Sequence, residues 1–210
     1  MTDALIIGGG PAGLCVARQL ARAGHRVALF EEHVGVGEPV HCTGVLAADA
    51  FDAFDVPRSS LLNELRTVRF FAPSGDPVPY STPSVEAVVI DRAAFDRELA
   101  RQAAAAGVEI HAGERARAVA IDAHGVTVTT AARSVRGRVC VLACGASYAV
   151  QRRHALGLPR LWLHTAQAEV PAGRLRDVEI HFGHDSAPGG FAWAVPVDRG
   201  RPFVRVGVMC

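Results

Sequence analysis

The chain contains no lysine: its Lys+Arg count of 22 is arginine throughout. That excludes Schiff-base catalysis and any mechanism that needs a lysine ammonium. It also lacks an apolar run long enough to cross a bilayer, which takes about 18 residues or more, so no segment reads as a transmembrane helix. Blocks of one charge are absent too. The 22 arginines face 21 acidic residues for a net charge of +1, and the longest basic run is Arg152-Arg153. Nucleic acid needs a concentrated positive footprint, so it is not an expected partner. Met1-Thr2-Asp3 supplies no positive n-region, which speaks against a signal peptide. The 5 cysteines, an odd number, stand at 15, 42, 140, 144 and 210. Cys140 and Cys144 lie in a run that reads as a buried strand, where four residues rise ~13 Å, too far for a disulfide. A reducing, cytoplasmic compartment is the expectation.

What is present is a hydrophobic half, 50% of 210 residues, enough for one large domain or two interleaved small ones. Residues 4–8 form a short apolar run ending in glycine, as a buried parallel strand does. Pro11 suits a first helical turn, Leu14, Ala17 and Leu20 keep helical spacing, and Gly24 closes the helix. Val27–Phe30 is a second buried strand, ended by Glu31. A glycine-punctuated loop leads to an expected helix over Val45–Phe54, then strands at Thr67–Ala72 and Val85–Ile90. Asp91 opens a long alanine-rich helix closed by Gly107, and a parallel strand at Val108–His111 follows. A hairpin over 118–130 and a returning strand at Arg138–Ala143 come next. The last sixty or so residues change character, with short strands at 161–170, 178–182, 191–195 and 203–209 that suggest an antiparallel sheet.

Gly8-Gly-Gly-Pro-Ala-Gly13 fits G-x-G-x-x-G between that first strand and helix. Gly8 permits the tight turn, Gly10 lets backbone approach a pyrophosphate, Gly13 lets helix and strand pack closely, and Pro11 and Ala12 begin the helix whose N-terminus faces the anion. Glu31, 18 residues past Gly13 at a strand end, is placed to accept from ribose hydroxyls. The context makes this a dinucleotide site. No second such motif serves NAD(P)H, and the three-strand excursion at 115–143 lies inside the nucleotide domain, so FAD is the expected resident dinucleotide.

With Gly37-Glu-Pro-Val-His-Cys-Thr-Gly44, Val89-Ile-Asp-Arg-Ala-Ala-Phe-Asp96 and Pro188-Gly-Gly-Phe-Ala-Trp-Ala-Val-Pro196 added to the glycine loop, the chain resembles the geranylgeranyl reductase family of flavoprotein monooxygenase-like oxidoreductases. The resemblance implies an α/β fold: a Rossmann-like, glutathione-reductase-type β-α-β domain with a β-meander (1–65 and 85–155), interleaved with a mainly antiparallel β substrate domain (66–84 and 156–210). It implies Ala12, Glu31, Cys42, Thr43, Val45, Arg92 and Ala116 as flavin neighbours, with Cys42 beside the ring. It implies NAD(P)H or another reductant as electron donor and a hydrophobic, isoprenoid-like substrate, compatible with a peripheral membrane contact. Two departures stand out. The family's Ala-Asp-Gly step is Ala143-Cys144-Gly145 here, and the late Gly-Asp segment that closes the flavin site is not in the chain, which reads as an N-terminal part.

Each candidate has a plainer reading. Cys42 can be a small buried hydrophobe, and Arg92 a solvated first-turn residue, although its charge opposes the helix dipole there. Phe191 and Trp193 share a strand face and line a cavity or fill a core. His181 and His184 face opposite sides of a strand and lack a third ligand, so no metal site is expected. The leading function is an FAD-dependent reductase acting on a C=C bond. An FAD-dependent aromatic hydroxylase and a non-catalytic flavin-binding fragment are the alternatives. Halogenation is disfavoured because the halogenases of this fold use a catalytic lysine.

Overall fold

A computed structural model describes residues 1–171 and 175–210. In chain order its first elements are β1 (Thr2–Ile7), α1 (Pro11–Arg22), β2 (Val27–Glu31), β3 (Val45–Ala47), α2 (Ala50–Ala53), β4 (Leu61–Leu65), β5 (Thr67–Phe71), β6 (Val78–Ser81) and β7 (Ala87–Ile90). Then come α3 (Arg92–Ala105), β8 (Glu109–Ala112), β9 (Ala118–Asp122), β10 (Gly125–Thr129), β11 (Ser134–Leu142), α4 (Ala149–Arg153), β12 (Thr165–Pro171), β13 (Val178–His181), β14 (Phe191–Asp198) and β15 (Pro202–Met209). They group into two compact units, residues 1–40 with 93–159, and residues 41–92 with 160–210.

The first unit is built on a sheet ordered β8-β2-β1-β11-β10-β9. β8, β2, β1 and β11 run parallel, and β10 and β9 form an antiparallel meander. β11 serves both halves: Ser134–Gly137 pair with β10, and Gly137–Leu142 pair with β1. Strands buried on both faces carry continuous apolar sequence, and all five residues of β2 are buried. Leu5, Ile7, Ala28, Phe30 and Val128 make one core cluster. Each of these side chains apart from the small Ala28 contributes about 1.5–3 kcal/mol. α1 presents Leu14 and Ala17 inward, and the Arg18 guanidinium, also buried, donates to Gln102 Oε1 on α3.

The second unit holds two sheets, β12-β15-β14-β13-β5-β6 and β3-β7-β4. The larger is antiparallel except where β13 runs parallel to β5. Leu65 and Val89 of the small sheet pack with Val178, Val195 and Val197 of the large one.

Two features differ from the sequence expectations. The helix expected over Val45–Phe54 is a strand, β3, followed by a single helical turn, because Val45 pairs with Val89 and Gly44 O accepts from Ile90 N at 2.8 Å. β4 and β6 are strands where no alternation marked them.

The glycine loop generates a stability test. A Cβ on Gly13 would lie 2.0 Å from Gly8 O, whereas one on Gly10 would meet nothing within 4 Å. Gly13→Ala should therefore lower the unfolding free energy by about 1–3 kcal/mol, and Gly10→Ala should leave it within about 0.5 kcal/mol. Urea titration of both variants checks this.

Candidate functional site

At the end of β1 the chain turns through Gly8 at φ +112°, with Gly8 N donating to Phe30 O at 2.9 Å. A side chain there would strike Ala143 O, just past β11, at 2.3 Å. Backbone thus packs against backbone on both flanks of β1, and α1 can start immediately. Gly10 is its N-cap in extended conformation, no side chain caps the helix, and Pro11 occupies the first turn. Ala12 is exposed and Gly13 buried. The result is a helix N-terminus without a side-chain cap, with open space around the position of a Gly10 Cβ, the geometry in which a backbone can approach a pyrophosphate.

Glu31 lies at the end of β2, 9% exposed. Its Oε2 accepts from Gly9 N at 2.6 Å, and its Oε1 accepts from His33 N at 2.9 Å and lies 2.6 Å from His33 Nδ1. Of the roughly four acceptor positions on a carboxylate, three are taken. Glu31 therefore fixes the glycine loop from below as well as offering an acceptor, a role the motif alone does not reveal. Ala116 is half-buried and packs, like Cys144, against the Leu5–Phe30 cluster. Cys144 Sγ donates to Ile7 O at 3.6 Å, and burial, with the nearby Glu32 and Glu31 carboxylates, pushes its thiol up. Cys140 is raised by burial, and then by Cys144, to about 11. Both are free and protonated at neutral pH.

In the second unit, Cys42 is exposed and its Sγ accepts from Gly44 N at 3.4 Å. Thr43 Oγ1 donates to Gln167 Oε1 at 2.9 Å, and Thr43 O accepts from Arg205 Nη1 at 2.5 Å. Thr43, Val45, Phe191 and Trp193 come together on one cavity of about 420 Å³, which Leu65, Ile180 and Met209 help to line. Four of the sequence candidates thus share a wall, predominantly apolar, as small-molecule sites are. Arg92 is half-buried at the start of α3. Trp193 faces Gly207 across β14 and β15, and a Cβ on Gly207 would meet the indole at 2.1 Å. The glycine therefore lets the ring lie close to the sheet. Sequence reasoning missed Gly207, although a lone glycine inside a strand signals a close approach. It also missed Arg205 and Glu169. His181 stacks on Phe71 at 4.4 Å and lies 3.1 Å from Glu179 Oε2.

Residues 3–66 match the family model described as FAD dependent oxidoreductase. Over 99% of its length the chain is 29% identical to the digeranylgeranylglycerophospholipid reductase of Methanosarcina acetivorans, and the match covers 54% of that protein. The structure of a geranylgeranyl bacteriochlorophyll reductase-like protein from Thermoplasma acidophilum superposes with a TM-score of 0.87 at 25% identity, over 99% of this chain and 56% of that one. The chain is thus similar over nearly its whole length to geranylgeranyl-type reductases, and over residues 3–66 to FAD dependent oxidoreductases. It spans about half the length of the curated family relatives it matches. The halogenase PltM, at 16% identity and a TM-score of 0.77 over 98% of this chain and 51% of its own, shares the fold. No helix among the described residues is long and apolar enough to cross a membrane.

Beside the cavity residue Thr43, Arg205 joins a charged network with Glu169, Arg199 and Asp91. Glu169 on β12 receives Arg205 Nε at 2.8 Å and Arg199 Nε at 2.8 Å, and Arg199 also reaches Asp91 at 2.5 Å. Burial alone would raise the Glu169 carboxyl, but the hydrogen bonds and charges of Arg205 and Arg199 outweigh it and hold the group below its ordinary range. The stability it contributes is full above the unfolded value of ~4.3 and is lost as pH falls through the lower folded value. Relative to Glu169→Gln, the parent chain should be more stable at pH 7 by about 1 kcal/mol, modest because the group is partly exposed. The gap should close in acid below that range. Denaturant titrations of both proteins across pH 3–7 measure it.

Proposed function

We propose that this chain holds FAD and serves an oxidoreductase that reduces a C=C bond of a hydrophobic, isoprenoid-like substrate, drawing electrons from NAD(P)H or another reductant. The observation that carries this reading is the pairing of two features. One is the uncapped helix terminus at Gly10, with open space where a side chain would stand. The other is the largely apolar cavity walled by Thr43, Val45, Phe191 and Trp193. The names of the relatives, with geranylgeranyl groups in each, support the substrate class.

Bound and reduced FAD supplies the hydride. The residues supply binding and orientation. The backbone N–H groups of Gly10, Ala12 and Gly13 and the α1 dipole would meet the diphosphate. Glu31 accepts from ribose while its other bonds hold Gly9 and His33 in place. The family resemblance assigns the ring-side contacts to Cys42, Thr43 and Val45, with Ala116 and Arg92 toward the nucleotide. Phe191 and Trp193, tilted at 58° with centroids 5.9 Å apart, offer the substrate chain an aromatic wall. The cytoplasm and its surfaces fit such a protein, with a membrane-borne isoprenoid reached by peripheral contact.

Gly10→Val is the direct test. A branched side chain in the open space should leave the fold intact and weaken FAD binding at least about tenfold, by occupying the place of the diphosphate. Glu31→Ala should weaken it by a similar factor of about tenfold or more. Calorimetric titration with FAD, paired with circular dichroism for folding, decides. Unchanged affinity in a folded Gly10→Val variant would remove the glycine loop from the flavin site.

A further inference from the structure

Arg205 is an arginine in the middle of a strand, 5% exposed. On β15 it stands in a cross-sheet row between Val195 of β14 and Glu169 of β12. A buried guanidinium is costly to desolvate unless its donors are matched, and here Nη1 and Nε meet two backbone carbonyls and a carboxylate. Nη1 donates to Thr43 O at 2.5 Å and to Ile90 O at 3.1 Å, and Nε donates to Glu169 Oε2 at 2.8 Å. Ile90 N in turn donates to Gly44 O at 2.8 Å, so both carbonyls flank the same turn. The turn is shaped to receive the guanidinium: Gly44 sits at φ +74°, and a Cβ there would lie 2.6 Å from Nη1. Gln167 on β12 adds the second tether through Thr43 Oγ1. Glu169 orients Arg205 and is itself held by Arg199.

An apolar residue at this row would satisfy the packing around Val195 without any desolvation cost. What the arginine adds is a planar fork that holds two backbone carbonyls and a carboxylate at once, which a point-charge ammonium does not reproduce. We propose that Arg205 is the positioning residue of the Cys42–Gly44 loop, fixing the direction in which Cys42 and Thr43 face their ligand. Arg205 acts through the loop carbonyls and touches no reacting atom. That the ligand is the flavin ring rests on the function proposed above.

The test uses the full 210-residue chain and two variants, Arg205→Met and Arg205→Lys. Hydrogen–deuterium exchange of the peptide containing residues 41–45 is compared with that of the peptide containing β13. In Arg205→Met the 41–45 amides should exchange at least about tenfold faster, with β13 unchanged, since local opening follows the loss of charge-assisted bonds. In Arg205→Lys the increase should be smaller, about threefold, because one ammonium replaces part of the fork. The visible band of bound FAD should shift in both. Should Arg205→Met fail to fold, Arg205→Lys carries the decision with the same readouts. Parent-like exchange at 41–45 in a folded variant, or full restoration by lysine, overturns the proposal. Faster loop exchange with an unaltered FAD band leaves Arg205 as the positioning residue and overturns the ring-side reading of the loop instead.

Discussion

Among the glycines of the first unit, Gly13 of α1 leaves the least room for a side chain: a single added carbon would sit 2.0 Å from the Gly8 carbonyl oxygen. Much of the nucleotide reading depends on it. Because α1 can start that close to the end of β1, its first N–H groups point outward from the strand's C-terminal end. Because Gly8 also clears Ala143 O, β11 can lie directly alongside β1. The shape of the glycine loop is therefore a consequence of packing distance, and Glu31 completes it by pinning Gly9 from the neighbouring strand.

Much of this was legible in the sequence, and for a physical reason. A β-α-β unit is local: its strand, turn, helix and second strand follow within thirty-one residues, and each is marked by apolar runs, glycine or proline. Phe191 and Trp193 were legible as a pair because a period of two puts them on one face. What stayed hidden depended on distant partners. Val45–Ala47 became a strand only because β7 lies alongside it, some forty residues later in the chain. β13 found a parallel partner in β5, which no local pattern announces. Glu31's second role, and the buried role of Arg205, arise from bonds that span 22 and 162 positions.

The second unit shows a different economy of charge. Its cavity wall is largely apolar, and its strongest electrostatics lie in the Arg205–Glu169–Arg199–Asp91 chain. Such a network stabilises little when exposed, but its buried end grips the loop that carries Cys42 and Thr43. Cys144, which stands where the resembled pattern carries an acidic residue, is a half-buried thiol bonded to Ile7 O and pushed up by burial and by the Glu32 and Glu31 carboxylates.

The central claim is that the Gly8–Gly13 loop and Glu31 read the adenosine diphosphate end of FAD. Competition on the purified chain tests it most directly: bound FAD is challenged separately with ADP and with riboflavin, and release is followed by flavin fluorescence. ADP should displace FAD, and riboflavin at the same concentration should not. Displacement by riboflavin with ADP inert would place the binding energy on the ring and contradict the assignment.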